Sequence, residues 1–173
     1  DLGQYILQLS EEKPSHMVMP AIHKTKESVQ QLFSERLNVT TSDDAAKLSG
    51  IAASRIREEY NHATIGITGA NFLIAEQGAV AITENEGNVM LAAAKPRIHI
   101  VIAGIDKVIP TMTDLHVLWP LLANFGTGQK LTSYNSVICG PKRNSEADGP
   151  EEMYVVLVDN GRSAVLAQEV QRN

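Results

Sequence analysis

Short apolar runs interrupted by glycine and polar residues dominate the middle of the chain. Between residues 65 and 91 these runs cover 65–67, 72–75 and 79–82, and each is rich in residues that favour β-strands. Glycine, acid and amide residues separate the runs, as they do in turns. The pattern predicts a segment of strands and turns around which the rest of the chain is organised.

Helical periodicity precedes this segment. Within residues 22–37 the apolar positions 29, 32, 33 and 37 fall on one helical face. A second apolar stripe runs from Ala45 to Tyr60, and the polar residues 41–44 offer N-caps for it. For residues 5–9 the pattern does not choose between a strand end and a short helix.

Strands and helices alternate after the central segment. The run 98–104 is apolar almost throughout, which is typical of a parallel strand covered on both faces. We expect a helix after Asp114, kinked or broken at Pro120, then strands within 131–139 and 152–158 and a helix over 163–170. The alternation predicts an α/β fold, an open mixed or parallel sheet with helices on both faces, in a single domain over residues 1–173.

Composition excludes several classes of protein. Hydrophobic residues make up 43% and charged residues 20%, which is ordinary globular usage. A net charge of -5 without a basic stripe argues against nucleic-acid binding, and no apolar run is long enough to span a membrane. The one cysteine, Cys139, provides neither a disulfide nor a cysteine cluster, and we expect it to be buried and inert. These features predict a cytoplasmic setting.

Because the chain opens at Asp1, with apolar residues almost at once, we expect it to belong to a longer protein.

The two polar breaks in the central segment hold the candidate site. Glu76 lies in the first break and residues 85–88 form the second. Because ligand crevices in open α/β sheets lie at strand ends, we expect these breaks to share one pocket, although both also fit ordinary turns. Glu76 is the predicted nucleophile or general base, and N–H groups of the 85–88 turn are available to an oxyanion or carboxylate. The predicted ligand-binding residues are Gly69, Asn71, Gly78, Asn85, Glu86, Gly87 and Asn88.

Other catalytic and metal motifs are missing from the sequence. The five histidines show no metal-ligand spacing, so we expect no metal site. We expect His99 to be a hydrogen-bonded core residue and His23 to have a capping role. Serine and cysteine hydrolase motifs do not occur, and residues 126–130 fit a turn better than an anion site.

Several segments, taken in order, resemble the lactate-utilisation (LUD) domain. They are Pro14-Ser15-His16, His23-Lys24, residues 66–88, residues 128–134, residues 149–152 and residues 159–163. More narrowly, they are similar to the iron–sulfur subunit of the bacterial system that oxidises L-lactate to pyruvate. The resemblance implies a fold like that of the sugar-phosphate isomerase and CoA-transferase superfamily, in which some CoA transferases use a glutamate at a strand–loop junction. Glu76 occupies what looks like the corresponding place.

The resemblance also implies cofactors and partners. It implies two 4Fe-4S clusters held by cysteines that this chain lacks, so we expect no cofactor in this segment itself. The implied partners are other lactate-utilisation subunits and a small carboxylate substrate, with self-association as a further option. Two alternatives to lactate oxidation are open: an assembly scaffold without catalysis, and a CoA-transferase-like enzyme that uses Glu76.

Overall fold

The structure, a computed structural model, describes residues 2–16 and 19–170, with side chains up to residue 168. The chain divides into two compact units, Asp1–His62 and Ala63–Asn173.

The first unit contains three helices packed around a small apolar core. Phe33, Leu48 and Ala52 are at most 5% exposed and form its centre. The N-cap Thr25 accepts a hydrogen bond from the Ser28 N–H at 3.2 Å, so the second helix begins later than the apolar pattern indicated. The ambiguous N-terminal stretch is helical. The helices are α1 (Leu2–Ser10), α2 (Lys26–Leu37) and α3 (Ala45–His62).

The described part of the second unit contains two sheets, three α-helices and two short 3-10 helices, Ile105–Lys107 and Met112–Asp114. The strands are β1 (Ile65–Thr68), β2 (Phe72–Ile74), β3 (Ala79–Glu84), β4 (Ile98–Gly104), β5 (Val108–Ile109), β6 (Tyr134–Ile138) and β7 (Glu152–Val158). The parallel sheet has the order β1-β4-β7, and the mixed sheet has the order β5-β2-β3-β6. The helices are α4 (Asn88–Ala94), α5 (Leu115–Thr127) and α6 (Arg162–Val170).

The two sheets pack against each other and form the main core. Val80 and Ile82 of the mixed sheet share one buried cluster with Val101 and Ala103 of the parallel sheet. The other face of the mixed sheet packs on α5 through Leu115. These layers confirm the predicted α/β fold with parallel and mixed sheets.

Several local expectations were wrong. Within the second unit no described element covers the second face of the parallel sheet, and Ile67 there is 62% exposed. The predictions also missed α4, which follows the turn after β3. Helix α5 continues unbroken past Pro120. Cys139 is exposed rather than buried, because β6 ends one residue earlier.

Candidate functional site

Glu76 lies in the tight turn that joins β2 to β3. Its N–H donates to the Pro110 carbonyl at 3.0 Å, and its carboxylate accepts from Gln77 Nε2 at 2.7 Å. Gly78 adopts a φ of 62°, which glycine tolerates best. The side chain of Glu76 is exposed, so the turn holds its backbone and leaves its carboxylate in solvent.

The structure does not form the single pocket expected from the sequence. Residues 85–88 follow the far end of β3, whereas Glu76 and Gly78 precede its start. Six strand residues therefore separate the two polar breaks, about 20 Å at 3.4 Å per residue. The sequence pattern shows where strands end, but it does not show which edge of the sheet each end reaches. The expectation that Glu76 and residues 85–88 share one pocket was therefore wrong.

Gly78 nevertheless borders a cavity of its own. This cavity, of about 330 Å³, lies between the mixed sheet and the edge strand β7. Its lining is apolar: Leu73, Ile74, Ala75, Gly78, Ala79, Val80, Val108, Val155 and Leu157. Glu76 is outside this set.

Asn85 connects the loop after β3 to the loop before β6. Its Oδ1 accepts hydrogen bonds from the Ser133 N–H at 3.0 Å and from Ser133 Oγ at 3.1 Å. Its amide also forms a reciprocal pair with the Gln129 amide. Three donors of the protein itself already bond to Oδ1. The Asn85 side chain therefore connects the two loops by hydrogen bonds.

Asn71 lies at the same end of the mixed sheet as Asn85. Its Oδ1 accepts the Thr83 N–H at 2.8 Å, which extends the pairing of β2 and β3 by a side-chain bond. The Thr83 hydroxyl in turn contacts Thr132 Oγ1 and lies 2.9 Å from Asn135 Oδ1. The structure therefore brings Asn71 and residues 85–88 to one end of the sheet, where amides and hydroxyls lie beside the carboxylates of Glu84 and Glu86.

The N-terminus of α4 is already occupied by a carboxylate of the chain. Glu84 accepts the Val89 N–H through Oε2 and the Met90 N–H through Oε1, each at 2.9 Å. Gly87, with a φ of 78°, turns the chain so that these N–H groups face back to the end of β3. At this turn an oxyanion or substrate carboxylate would have to displace Glu84, a residue that the sequence analysis did not single out.

The carboxyl edge of the parallel sheet carries a second polar cluster. Asp106 follows β4 and forms an ion pair with Arg162, which opens α6 after β7. Gly104 lies directly beneath the pair, since a Cβ there would be 2.2 Å from Asp106 Oδ1 and 3.2 Å from Arg162 Cζ. Gly69 follows β1 at the same edge, directly after Thr68, which pairs with Val101 three residues before the end of β4.

The loop before α6 holds Arg162 in place. Asp159 Oδ1 accepts the Ser163 N–H at 2.8 Å, and the Asp159 carbonyl accepts from Arg162 Nη1 at 3.1 Å. In the sequence, residues 159–163 stand out only through the resemblance to the LUD domain. Their signal was an Asp-Asn-Gly-Arg turn directly after a strand, at the edge where open α/β sheets bind ligands.

His99 is a buried polar residue at the centre of the parallel sheet. Its Nε2 lies 2.8 Å from Thr68 Oγ1, while its Nδ1 is buried without a hydrogen-bond partner among the described residues. Burial lowers the pKa of His99 from its ordinary value of 6.5. The expected core position is confirmed, but only one of the two ring nitrogens is hydrogen-bonded.

The fold and these clusters define an α/β domain in which two stacked sheets present polar groups at their strand ends. The LUD domain family matches residues 1–158, and the chain belongs to that family. The match extends across both compact units.

Relatives of known name cover nearly all of the chain. Lactate utilization protein B of Shouchella clausii is 44% identical over 172 residues, and that of Geobacillus kaustophilus is 45% identical. Each alignment covers 99% of this chain and 36% of the relative, so the chain spans about a third of the length of these relatives. A crystal structure of a DUF162 family protein from Deinococcus radiodurans is 19% identical with a TM-score of 0.43, over 58% of this chain and 57% of that one.

The described residues contain neither a membrane-spanning helix nor a metal-binding cluster. None of the described helices combines the length and the apolar character needed to cross a bilayer. Within the same residues, no three His, Cys, Asp or Glu side chains converge in a way that would hold a metal ion.

Proposed function

We propose that this chain is the LUD domain of a lactate utilisation protein of the B type, and that it takes part in the oxidation of L-lactate to pyruvate in the cytoplasm. The observation that carries the proposal is the identity of about 44% to such proteins along 99% of the chain. The domain works in this proposal with other lactate-utilisation subunits.

Electron transfer belongs in this proposal to other parts of the protein. A 4Fe-4S cluster needs four thiolates, and this chain provides one cysteine. Cys139 is exposed at the end of β6. The residues present therefore do not fit a cluster, and we assign the clusters to the longer protein.

We place the small carboxylate at the carboxyl edge of the parallel sheet. Arg162 supplies two-pronged N–H donors suited to a carboxylate, and Asp106 offers an acceptor for a neighbouring hydroxyl group. Gly69 leaves room for a ligand beside the backbone, since a Cβ there would be 3.9 Å from the nearest atom, the Ile102 carbonyl oxygen, whereas Gly104 allows the Asp106–Arg162 pair to lie against the backbone. An Arg–Asp pair that exchanges its internal contact for the carboxylate and hydroxyl of lactate would bind both functional groups of a 2-hydroxy acid.

Calorimetric titration with L-lactate and pyruvate tests this site. The variant Arg162→Gln removes the cation, and we expect the affinity for both anions to fall at least about tenfold, the loss of one charge-assisted hydrogen bond. Arg97→Gln is the matched control. It also removes an exposed arginine that pairs with an acid, Glu152 at 2.6 Å, but at the amino end of the same sheet. Equal losses in the two variants would contradict the proposed position.

An assembly scaffold is the alternative from a different class. The uncovered face of the parallel sheet favours it, because parallel sheets are normally covered on both faces. Ile67, Tyr154 and Val156 on this face are 62%, 51% and 45% exposed. Failure of the wild-type chain to bind either anion, together with stable binding to partner subunits, would favour the scaffold over the binding site.

A CoA-transferase-like reaction at Glu76 is the remaining candidate. The apolar cavity bordered by Gly78 next to this turn favours it. Incubation with an acyl-CoA followed by borohydride would trap a glutamyl thioester by reduction. The absence of any change at Glu76 in the mass of its peptide would remove this candidate.

A further inference from the structure

A serine, a histidine and a glutamate form a continuous hydrogen-bonded relay in the first unit. Ser15 Oγ lies 2.6 Å from His23 Nδ1, and His23 Nε2 lies 2.9 Å from Glu12 Oε2. The three residues come from the loop between α1 and α2. The Pro20 carbonyl accepts from the Ser15 N–H at 3.2 Å and lies 3.3 Å from Ser15 Oγ, so the hydroxyl has a second acceptor besides His23. No part of the proposed lactate site uses them.

From this geometry we infer that Ser15 is a nucleophile for acyl transfer, with His23 as its general base and Glu12 as the group that orients His23. A nucleophile in contact with a base, which a third group holds in place, is the recognised signature of such sites. Relays of this kind are identified by geometry and roles, not by sequence motif. The lack of a G-x-S-x-G motif in the sequence is therefore compatible with such a relay.

The electrostatics of the relay fit these roles. The Lys24 ammonium, and after it the His23 ring, hold the pKa of Glu12 below its ordinary value of 4.5. Glu12 is therefore ionised at neutral pH and accepts the proton on His23 Nε2. The tautomer that results leaves Nδ1 without a proton, so that this nitrogen can accept the proton of Ser15 Oγ.

The surroundings admit a small substrate. Ser15 is exposed, so its hydroxyl is accessible from solvent. Ala21 and Lys24, on either side of His23 in the chain, line a cavity of about 200 Å³ whose lining does not include the three relay residues themselves. Its walls are largely apolar, with Val29, Leu48 and Ala52 among them. The chemical class on which an exposed serine nucleophile with a histidine base acts is an ester or thioester.

The reaction balances without any further cofactor. Ser15 Oγ attacks the acyl carbon as its proton passes to His23 Nδ1, and the same proton then leaves with the alcohol or thiol. The product of this first half of the reaction is an acyl ester on Ser15. Water, deprotonated by His23, attacks this ester, which releases the carboxylic acid and restores the Ser15 hydroxyl.

Labelling with a fluorophosphonate, followed by peptide mass spectrometry, tests the inference on the 173-residue chain. We expect a phosphonyl adduct on the peptide that contains Ser15. Ser15→Ala should abolish it, and His23→Gln should slow it about 100-fold, the usual contribution of a general base. Ser10→Ala is the matched control, since the Ser10 hydroxyl donates to the Leu7 carbonyl of its own helix at 3.2 Å and has no histidine partner among the described residues. Absence of an adduct on Ser15, or equal labelling of Ser10 and Ser15, would overturn the inference.

A second variant separates loss of chemistry from loss of folding. Ser15→Cys, in a chain where Cys139 is replaced by serine, places a thiol next to His23. We expect iodoacetamide to alkylate this thiol at least about tenfold faster than the same thiol in a chain that also carries His23→Gln, because the imidazole promotes the thiolate. Circular dichroism confirms that each variant is folded. Equal alkylation rates in two folded chains would show that His23 does not activate residue 15, and the relay would then only lock the loop.

Discussion

The side-chain amides of Asn85 and Gln129 hydrogen-bond to each other in both directions, at 3.0 and 3.1 Å. Each amide thus donates one N–H and accepts one, which fixes the orientation of both groups. The contact joins the end of β3 to the glycine-rich stretch after α5. The sequence favours a turn over an anion site in that stretch, and the hydrogen-bonded amide pair gives the stretch a structural role.

We expect Asn85→Ala to lower the free energy of unfolding by about 1 kcal/mol, because exposed hydrogen bonds contribute modestly. In a double-mutant cycle with Gln129→Ala, the two losses should fall short of additivity by about 0.5 kcal/mol or more. Urea denaturation measures these values.

The amide of Gln77 is the control for this cycle. It lies at the opposite end of the mixed sheet and donates to Glu76 at 2.7 Å. Asn85→Ala combined with Gln77→Ala should be additive, since the two sites share no partner. Additivity in both cycles would mean that the reciprocal pair contributes nothing to stability.

A second prediction concerns Glu84 at the start of α4. Replacement by alanine removes two charge-assisted bonds to backbone N–H groups and should cost about 1–2 kcal/mol, whereas glutamine keeps one acceptor oxygen and should cost less. Amide hydrogen exchange at Val89 and Met90 reports the effect locally. Glu86→Gln is the control, because the Glu86 carboxylate accepts from the Asn88 side chain, at 3.1 Å, and from no backbone N–H of the described residues. Unchanged exchange at both amides in Glu84→Ala would contradict the capping role.

These relationships show which parts of the site a sequence can reveal. Apolar runs predicted most strands and helices, because the alternation of side chains is local. The partners of each strand depend on the order of strands in the sheets, which no local pattern encodes. Gly104 and Arg162 meet only because β4 and β7 are parallel neighbours, with Gly104 opposite Val158. Glu76 and Asn85 are far apart because they lie at opposite ends of β3.

The third prediction concerns pH. The pKa of His99 is lower in the folded chain than in the unfolded chain because the ring is buried. Below pH 6.5 the unfolded chain therefore binds a proton that the folded chain does not, so stability falls as the pH drops from 6.5 toward the folded pKa. Above 6.5 both states are neutral at this residue, and its contribution stays constant.

Denaturation at several pH values compares the wild-type chain with His99→Gln. We expect the free energy of unfolding of the variant to fall less than that of the wild-type chain between about pH 7 and 5, a range that brackets the ordinary histidine pKa. His116→Gln, at an exposed position on α5, should keep the wild-type profile. Identical pH profiles for all three chains would show that His99 does not set this dependence.

The last prediction rests on the close contact between α4 and β1 at Gly66. A Cβ at this position would lie 1.9 Å from the Ala92 carbonyl oxygen and 2.9 Å from Pro96 Cγ. Because the nearest atom is backbone, α4 itself would have to move, and we expect Gly66→Ala to cost about 3 kcal/mol or more, the upper range for overpacking. Gly50 is the matched control. It lies inside α3 with nothing within 4 Å of a Cβ, so Gly50→Ala should stabilise by about 0.5–1 kcal/mol. Thermal unfolding of both variants measures the difference. If Gly66→Ala proved as stable as the wild-type chain, the packing of α4 directly on β1 would be wrong.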